Sequence, residues 1–190
     1  MPQKIIVGID EVGRGCLVGA VVAAAVILDP NKPIAGLTDS KKLTPKRRQQ
    51  LAKIIKSQAI DWAIGRAEPS EIDKINILQA SLLAMARAYQ ALTVKADWVK
   101  VDGNQYPPIE CAGETIIKGD LTEPEISAAS ILAKVARDDE MIIVDKLYAG
   151  YGFAQHKGYP TKDHIQKLQA LGVIELHRQS FAPIKKIHQS

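Results

Sequence analysis

The sequence predicts an α/β protein, with a sheet domain over residues 1–148 and a helical region over residues 149–190 packed on it. Two observations support this class. Segments with strand-like composition fall in the first two-thirds of the chain, and segments with helical apolar spacing fill the last third. A glycine- and tyrosine-rich stretch at residues 148–152 is the best candidate for the joint between the two parts.

Five segments predict strands. The first, residues 4–9, is an apolar run, and the second, residues 20–28, is rich in valine and alanine, as expected of a buried strand. The remaining three are residues 59–67, 98–101 and 115–118. The segment 98–101 ends next to Asp102, and the segment 115–118 ends close to Asp120.

Helices are predicted from capping residues and from apolar residues that recur every three or four positions. Thr44 and Pro45 are suited to begin a helix, because threonine caps the first turn and proline fits its first position. Ser70 and Thr161 are predicted to cap further helices. The predicted helices are residues 45–57, 70–75, 77–90, 126–148, 162–171 and a short one from residue 182.

Length and composition limit the classes of protein that need to be considered. The chain has 190 residues, of which 46% are hydrophobic and 24% charged, which is ordinary for a globular protein with one sizeable core. No apolar run reaches the ~20 residues that cross a bilayer, and the N-terminus lacks the layout of a secretory signal. Two cysteines, Cys16 and Cys111, form neither a disulfide framework nor a zinc motif. These features predict a cytoplasmic protein with no membrane contact.

Basic residues are concentrated in one early segment of a chain whose net charge is +4. They are Lys41, Lys42, Lys46, Arg47, Arg48, Lys53 and Lys56. Such a segment is either a solvated helix face or a surface for a polyanion, and both interpretations stay open at this point.

Four carboxylates lie at or just past predicted strand ends: Asp10, Glu11, Asp102 and Asp120. Side chains at strand ends can converge, and an all-oxygen set of ligands favours hard cations such as Mg²⁺ or Mn²⁺. Neighbouring side chains on a regular strand point to opposite faces, so Asp10 and Glu11 share a site only if the strand stops or bulges between them. The alternative for each aspartate is a turn or capping role, as in the sequence Asp102-Gly103-Asn104.

A loop of Gly13, Arg14 and Gly15 follows the acidic pair directly. Its backbone N–H groups could contact a phosphate or a sugar hydroxyl, although a simple tight turn is the more common role. The dinucleotide-binding pattern is excluded, because it would need glycine where Val18 stands.

All four histidines, His156, His164, His177 and His188, lie in the last third of the chain, and we expect most of them at the surface or in caps. A ribonuclease that uses paired histidines and the substrate's own 2′-hydroxyl is an alternative, but it leaves the acidic pair without a role. Tyr159 could stack on a base or sugar, or could pack on the core.

Several ordered motifs carry a resemblance that covers nearly the whole chain. They are Gly8–Gly15, Asp39–Leu43, Glu71–Asp73 with Asn76–Ile77, Val101–Asn104, Lys118–Asp120, Ser127–Val135 with Arg137–Asp138, His156–Thr161, and His177–Arg178 with Ser180–Phe181. The chain resembles bacterial ribonuclease HII, the type 2 ribonuclease H. The resemblance implies a ribonuclease H-like fold with a central mixed β-sheet flanked by helices, plus a helical C-terminal region.

The resemblance also implies the activity, the cofactor and the site. The activity is endonucleolytic cleavage of the RNA strand of RNA–DNA hybrids and incision 5′ of single ribonucleotides embedded in duplex DNA, which is a step of ribonucleotide excision repair. Two Mg²⁺ or Mn²⁺ ions would drive hydrolysis to a 3′-hydroxyl and a 5′-phosphate. The family's functional residues fall on Asp10, Glu11, Asp102 and Asp120 for metal and catalysis, and on Gly13, Arg14, Gly15, Tyr159, Ser130 and Lys134 for substrate.

Two positions depart from the pattern of the ribonuclease HII family. Ala20 stands where proline is usual, and Gln179 where many relatives carry a basic residue. The same resemblance also gives expectations for the oligomeric state and for binding partners. We expect a monomer, with no tail of the kind that archaeal relatives use to bind a sliding clamp. Two rivals stay open: a nuclease of similar fold that acts on DNA alone, and a non-catalytic nucleic-acid-binding module that uses the basic segment.

Overall fold

Five strands form one mixed sheet in the order β3-β2-β1-β4-β5 in a computed structural model that describes residues 4–188, the last of them by its backbone alone. The strands are β1 (Ile6–Val12), β2 (Val21–Ile27), β3 (Asp61–Ala67), β4 (Trp98–Asp102) and β5 (Gly113–Ile116). β2 pairs antiparallel with both β1 and β3, whereas β4 runs parallel to β1 and to β5. The central mixed sheet confirms the predicted fold class.

Seven helices surround this sheet within the described part of the chain. They are α1 (Pro45–Gln58), α2 (Pro69–Gln90), α3 (Gly119–Thr122), α4 (Pro124–Leu147), α5 (Phe153–His156), α6 (Lys162–Leu171) and α7 (Ala182–His188). The two helices predicted at 70–75 and 77–90 are confirmed as the two halves of α2, which are separated by a kink at Asn76, where φ is +69° and the backbone is not helical. Its cap is Glu68 rather than Ser70.

Two apolar layers sandwich the sheet. Alternate residues of β2 point to opposite faces, so that Ala23 and Ala25 pack with α2, while Ala24 and Val26 pack with α1 and α4. This explains why β2 is apolar throughout and buried at every position. α4 lies so close to β1 that a Cβ on Gly8 would collide with the backbone at Glu125. The alignment of α4 with β1 is therefore fixed at a point two residues before Asp10.

The C-terminal region is bonded to the segment that follows β1. The Leu17 amide donates to the Gly158 carbonyl at 2.8 Å, and the Arg178 amide donates to the Leu17 carbonyl at 2.8 Å. The Gly19 amide donates to Leu176 at 2.9 Å. The loop after the acidic pair is thus held between the sheet and the last helices.

Three short elements escape sequence patterns: a 3₁₀ turn at Ser40–Lys42, α3 and α5. Each spans four residues or fewer, which is too short to show a helical period. Within residues 4–188, no helix combines the length and the apolar character that a membrane span requires.

Candidate active site

The four predicted carboxylates line one cleft of about 430 Å³ at the edge of the sheet. The cleft is lined by Asp10, Glu11, Val12, Ser40, Lys41, Asp102, Asp120, Ser130, Lys134 and Tyr159. β1, β4, α3 and α4 supply the four acids and the two residues Ser130 and Lys134. Residues more than a hundred positions apart in the chain therefore meet at one opening.

Asp10 and Glu11 share the cleft without the break that the sequence predicts between them. β1 continues through both residues, and its ladder with β2 is regular from Asp10 opposite Ala24 to Glu11 opposite Ala23. The expectation of a stop or bulge is wrong. On the other side, the pairing of β1 with β4 ends at Ile9. Beyond Ile9 this edge of β1 is open, so side chains from both faces of the strand border the same space.

Asp102 and Asp120 reach the cleft from the neighbouring chain segments. Asp102 is the last residue of β4, and its Oδ1 lies 3.4 Å from the Asp120 amide nitrogen. Asp120 lies in the one-turn helix α3, just past the end of β5 rather than on it. The Ser127 hydroxyl of α4 donates to the Asp120 carbonyl at 2.7 Å, which ties this turn to the long helix.

The carboxylates hold an excess of negative charge in a poorly hydrated space. Burial, reinforced by the charges of Glu11 and Asp102, raises the pKa of Asp10 well above its usual range. Burial also raises the pKa of Glu11, against the lowering influence of the Arg14 guanidinium, whose Nη1 lies 3.5 Å from Oε1. Burial and the nearby Asp102 raise the pKa of Asp120. The charged forms of Asp10, Glu11 and Asp120 are therefore disfavoured unless a cation binds beside them.

The donor set fits hard divalent cations by its chemistry. All four side chains offer oxygen atoms, and no histidine or cysteine side chain that the structure describes lines the cleft. Among residues 4–188, no three acidic, histidine or cysteine side chains are already arranged around a common point at metal-binding distance.

Two buried arginines support the Gly13–Gly15 loop from below. The Arg178 guanidinium donates to the carbonyls of Gly13 at 2.7 Å, Arg14 at 2.9 Å and Gly19 at 3.0 Å. These three carbonyls are therefore turned inward to Arg178. Burial, with the nearby charge of Arg137, lowers the pKa of Arg178 to about 10.

Arg137 of α4 completes this support. It donates to the carbonyls of Ala20 at 2.6 Å and Val18 at 2.8 Å. Gly13 has φ +92°, and a Cβ there would come within 2.5 Å of the Arg137 Nε. Glycine is therefore required at this position for two separate reasons. At Gly15 a Cβ would meet nothing within 4 Å, so that residue keeps the loop surface open.

Tyr159, Ser130 and Lys134 also line the cleft. The Tyr159 ring is half-buried, and burial together with Cys16 raises the pKa of its hydroxyl to about 12. Lys134 Nζ lies 5.9 Å from the Tyr159 ring centre and donates to Asp138 at 2.7 Å. Ser130 Oγ lies 3.0 Å from the Ser40 hydroxyl.

Comparison with known protein families matches residues 7–184 to the family described as Ribonuclease HII. The chain belongs to the ribonuclease HII family. It is accordingly a metal-dependent ribonuclease H, an enzyme class that cleaves the RNA strand of RNA–DNA hybrids.

Solved structures of ribonucleases share the fold. Ribonuclease H2 from Pyrococcus horikoshii OT3 superposes with a TM-score of 0.81 at 26% identity, covering 97% of this chain and 97% of that one. Ribonuclease HII from Archaeoglobus fulgidus, solved in a complex with PCNA, gives a TM-score of 0.73 at 23% identity over 93% of this chain and 95% of that one. Bst-RNase HIII, solved with Mn²⁺, gives 0.76 at 19% identity over 98% of this chain and 70% of that one.

Three histidines of this ribonuclease HII family member are buried, although the sequence predicts most of them at the surface or in caps. His156, His164 and His177 are buried beneath the Tyr159 loop, so the expectation that most histidines are surface or capping residues is wrong for these three. The side chain of His188 lies outside the described part of the structure. None of the three buried rings lines the cleft, which argues against a reaction that uses paired histidines.

The buried histidines make the stability of this ribonuclease dependent on pH. Burial, together with His164, lowers the pKa of His177 from its ordinary 6.5 to about 4. A lowered pKa means that the fold holds the neutral ring, so its contribution is complete above the unfolded value and is lost as pH falls towards about 4. We expect the free energy of unfolding to drop by up to about 3 kcal/mol between about pH 7 and pH 4 through this ring.

Denaturant unfolding at several pH values, for the wild type and for His177→Gln, measures this contribution. The buried carboxylates titrate in both proteins and cancel in the difference. The variant should show a flatter fall in stability below about pH 6.5. Identical pH slopes for the two proteins would contradict the assignment.

Arg137 and Arg178 lie within the sequence motifs, but the motifs do not indicate their role as buried donors. A signal for Arg137 was present, because it stands in the apolar stripe of α4 with Ala133, Met141 and Val144 at spacings of four, four and three. A cation in such a stripe must find buried acceptors. Arg178 follows no periodic pattern, and its role depends on carbonyls 159 to 165 positions away.

Proposed function

We propose that this ribonuclease incises duplex DNA on the 5′ side of a single embedded ribonucleotide, as well as cleaving longer RNA–DNA hybrids. The observation that carries the proposal is the meeting of four carboxylates in one cleft beside the Gly13–Gly15 loop. Glu11 and Asp102 also border a smaller adjoining pocket that contains Arg14, so the acids and the loop are continuous.

The carboxylates are proposed to act as metal ligands, with Asp10 and Asp120 as principal ligands and with Glu11 and Asp102 completing the set. Two divalent ions, Mg²⁺ or Mn²⁺, would supply an activated water and would stabilise the leaving 3′-oxygen. The raised pKa values of Asp10, Glu11 and Asp120 support this role, because they reflect uncompensated charge. Lys100 and Glu123 lie outside the cleft, and their 2.5 Å ion pair is structural.

The loop is proposed to recognise the sugar. The 2′-hydroxyl is the group that distinguishes RNA from DNA at a given position, and it is both a donor and an acceptor. Arg178 fixes the loop carbonyls inward, and the absence of a side chain at Gly15 lets a ribose approach the backbone. Ser130 and Lys134, which line the same cleft, are proposed to contact phosphates. Lys134 would have to exchange its bond with Asp138 to do so.

A matched pair of duplexes tests the substrate. The two should be identical except for one 2′-hydroxyl, and the enzyme should nick the first in Mg²⁺ and leave the all-DNA duplex intact. Equal cleavage of both would favour a DNA nuclease of similar fold. Salt-dependent binding with no metal-dependent product would favour a non-catalytic module.

Tyr159 is proposed to sense the junction between RNA and DNA by packing on a sugar or base. Tyr159→Ala should lower the ratio of single-ribonucleotide to hybrid cleavage by about tenfold, which is a typical loss when a stacking ring is removed. Tyr159→Phe should keep most of the preference. The control is Tyr148→Ala, because Tyr148 bonds Glu175 and does not line the cleft. An unchanged ratio in a folded Tyr159→Ala protein would remove this role.

The remaining expectations stay predictions. They are the bacterial branch of the family, a role in ribonucleotide excision repair, a cytoplasmic location, a monomeric state, and a catalytic domain over 1–148 with an appended region over 149–190. A relative has been solved with PCNA, so binding to a sliding clamp is an open property of this chain. Within the basic segment, Lys41 lines the cleft, whereas Arg48 donates inward to the Leu43 carbonyl at 2.6 Å.

A further inference from the structure

Three buried histidine rings lie directly behind Tyr159. The His156 and His164 rings stack with centres 4.2 Å apart and planes 12° apart. His164 Nε2 lies 3.4 Å from His177 Nε2. His164 and His177 are fully buried, so neither ring can touch a substrate in the cleft.

The backbone partners of these rings determine which nitrogen carries each proton. The Ile174 amide can only donate, and it lies 3.0 Å from His177 Nδ1. The Ile174 carbonyl lies 3.3 Å from the same nitrogen, so the contacts with Ile174 alone fit either tautomer of His177. His177 Nε2 faces His164 Nε2 at 3.4 Å, so one of these two nitrogens donates and the other accepts.

The carbonyl of Tyr159 fixes the direction. It can only accept, and it lies 2.9 Å from His164 Nδ1, so the proton of the neutral His164 ring is on Nδ1. His164 Nε2 then accepts from His177 Nε2, and His177 Nδ1 is left to accept from the Ile174 amide. A directional chain of hydrogen bonds therefore runs from the Ile174 amide through His177 and His164 to the backbone of Tyr159. Burial lowers the pKa of both rings, in agreement with neutral forms.

The chain begins beside the residue that supports the other recognition element. His177 belongs to the relay, and the next residue, Arg178, holds the carbonyls of Gly13 and Arg14. The backbone of this pair is bonded to the sheet side through the Arg178 amide and the Leu17 carbonyl. The adjacent residues His177 and Arg178 therefore support Tyr159 and the Gly13–Gly15 loop, respectively.

We propose that His177 and His164 are positioning residues, which act as a neutral relay that holds Tyr159 at a fixed distance from the Gly13–Gly15 loop. This rests on the proposed function for the role of Tyr159 but not for the relay itself. The spacing of the two elements then sets how well a junction between ribonucleotide and deoxyribonucleotide is told from a continuous hybrid. Removing the relay should loosen Tyr159 without touching the carboxylates.

The relay is tested first by a readout that does not depend on activity. Long-range ¹H–¹⁵N correlation spectra of the full chain at neutral pH identify the tautomer of each histidine. His177 should carry its proton on Nε2 and His164 on Nδ1. The opposite tautomer at either ring, or a charged ring, would overturn the relay even if the enzyme cleaves as proposed.

The positioning role is tested by paired variants of His164. His164→Leu removes the donor to Tyr159, whereas His164→Asn places an amide N–H where Nδ1 stands. His164→Leu should lower the ratio of single-ribonucleotide to hybrid cleavage by about tenfold, as Tyr159→Ala does, and His164→Asn should restore most of it. The double variant with Tyr159→Ala should show no further loss, because the relay acts by positioning the Tyr159 ring, which is already absent in Tyr159→Ala.

An unchanged ratio in a folded His164→Leu protein would overturn the positioning role. If His164→Leu does not fold, an Asn variant that folds but loses the preference as fully as Tyr159→Ala would overturn it as well. If the wild type shows no preference at all, the proposed role of Tyr159 fails, and the spectra still decide whether the relay exists.

Discussion

Asp10→Asn is expected to reduce cleavage at a single ribonucleotide by about a thousandfold or more, while binding of the duplex persists. The loss of a ligand that holds a catalytic cation removes several kcal/mol of transition-state stabilisation. Asparagine keeps the size of the side chain but offers one neutral oxygen in place of a charged pair. Cleavage of a duplex with one ribonucleotide, with binding measured in Ca²⁺, separates the two effects.

Asp145→Asn is the matched control, because Asp145 lies on α4 but does not line the cleft. The Asp145→Asn enzyme should cleave at the wild-type rate.

The metal-free Asp10→Asn protein should also melt at a higher temperature than the wild type, since the raised pKa of Asp10 means that the fold disfavours its charged form. Cleavage by Asp10→Asn at close to the wild-type rate would show that Asp10 does not hold a catalytic cation.

Arg178→Met is expected to have the second largest effect. It leaves the carbonyls of Gly13, Arg14 and Gly19 without their buried donor. Each unsatisfied buried acceptor costs about 1–3 kcal/mol, and relief of the repulsion with Arg137 offsets part of the sum. We expect a loss of about 3 kcal/mol in the free energy of unfolding and at least about a tenfold fall in kcat/KM, because the loop no longer presents its amides in one orientation.

Two variants calibrate this result. Arg178→Lys keeps the charge but reaches fewer carbonyls, so it should fall between the wild type and Arg178→Met. Arg47→Met removes an exposed arginine and should change stability by less than about 1 kcal/mol. An Arg178→Met enzyme with full stability and full activity would show that the loop holds itself without the buried guanidinium.

The sequence predicted the sheet and the acids well, for identifiable physical reasons. β2 is apolar because both of its faces are covered, and such a run is visible without any structure. Asp102 is the last residue of β4 and lines the cleft, in agreement with the prediction of an acidic side chain at the end of this strand. Asp120 was predicted next to a strand end and lies in α3, one turn further along.

Other features depend on partners that are distant in the chain. The open edge that lets Asp10 and Glu11 share the cleft arises from the point at which β4 leaves β1, which no local pattern of β1 reveals. The burial of His164 and His177 depends on the packing of α6 against the tail. Asp73 illustrates the same limit: it accepts from the Ser180 amide at 2.8 Å, across 107 positions.

The chemical nature of the cut ends tests the central claim most directly. A metal-stripped enzyme is incubated with duplex DNA that carries one ribonucleotide, in EDTA, Mg²⁺ or Mn²⁺, and the products are mapped. We expect no product in EDTA, and with either metal one nick on the 5′ side of the ribonucleotide that leaves a 3′-hydroxyl and a 5′-phosphate. Cleavage that persists in EDTA, or a 2′,3′-cyclic phosphate at the new end, would contradict the account.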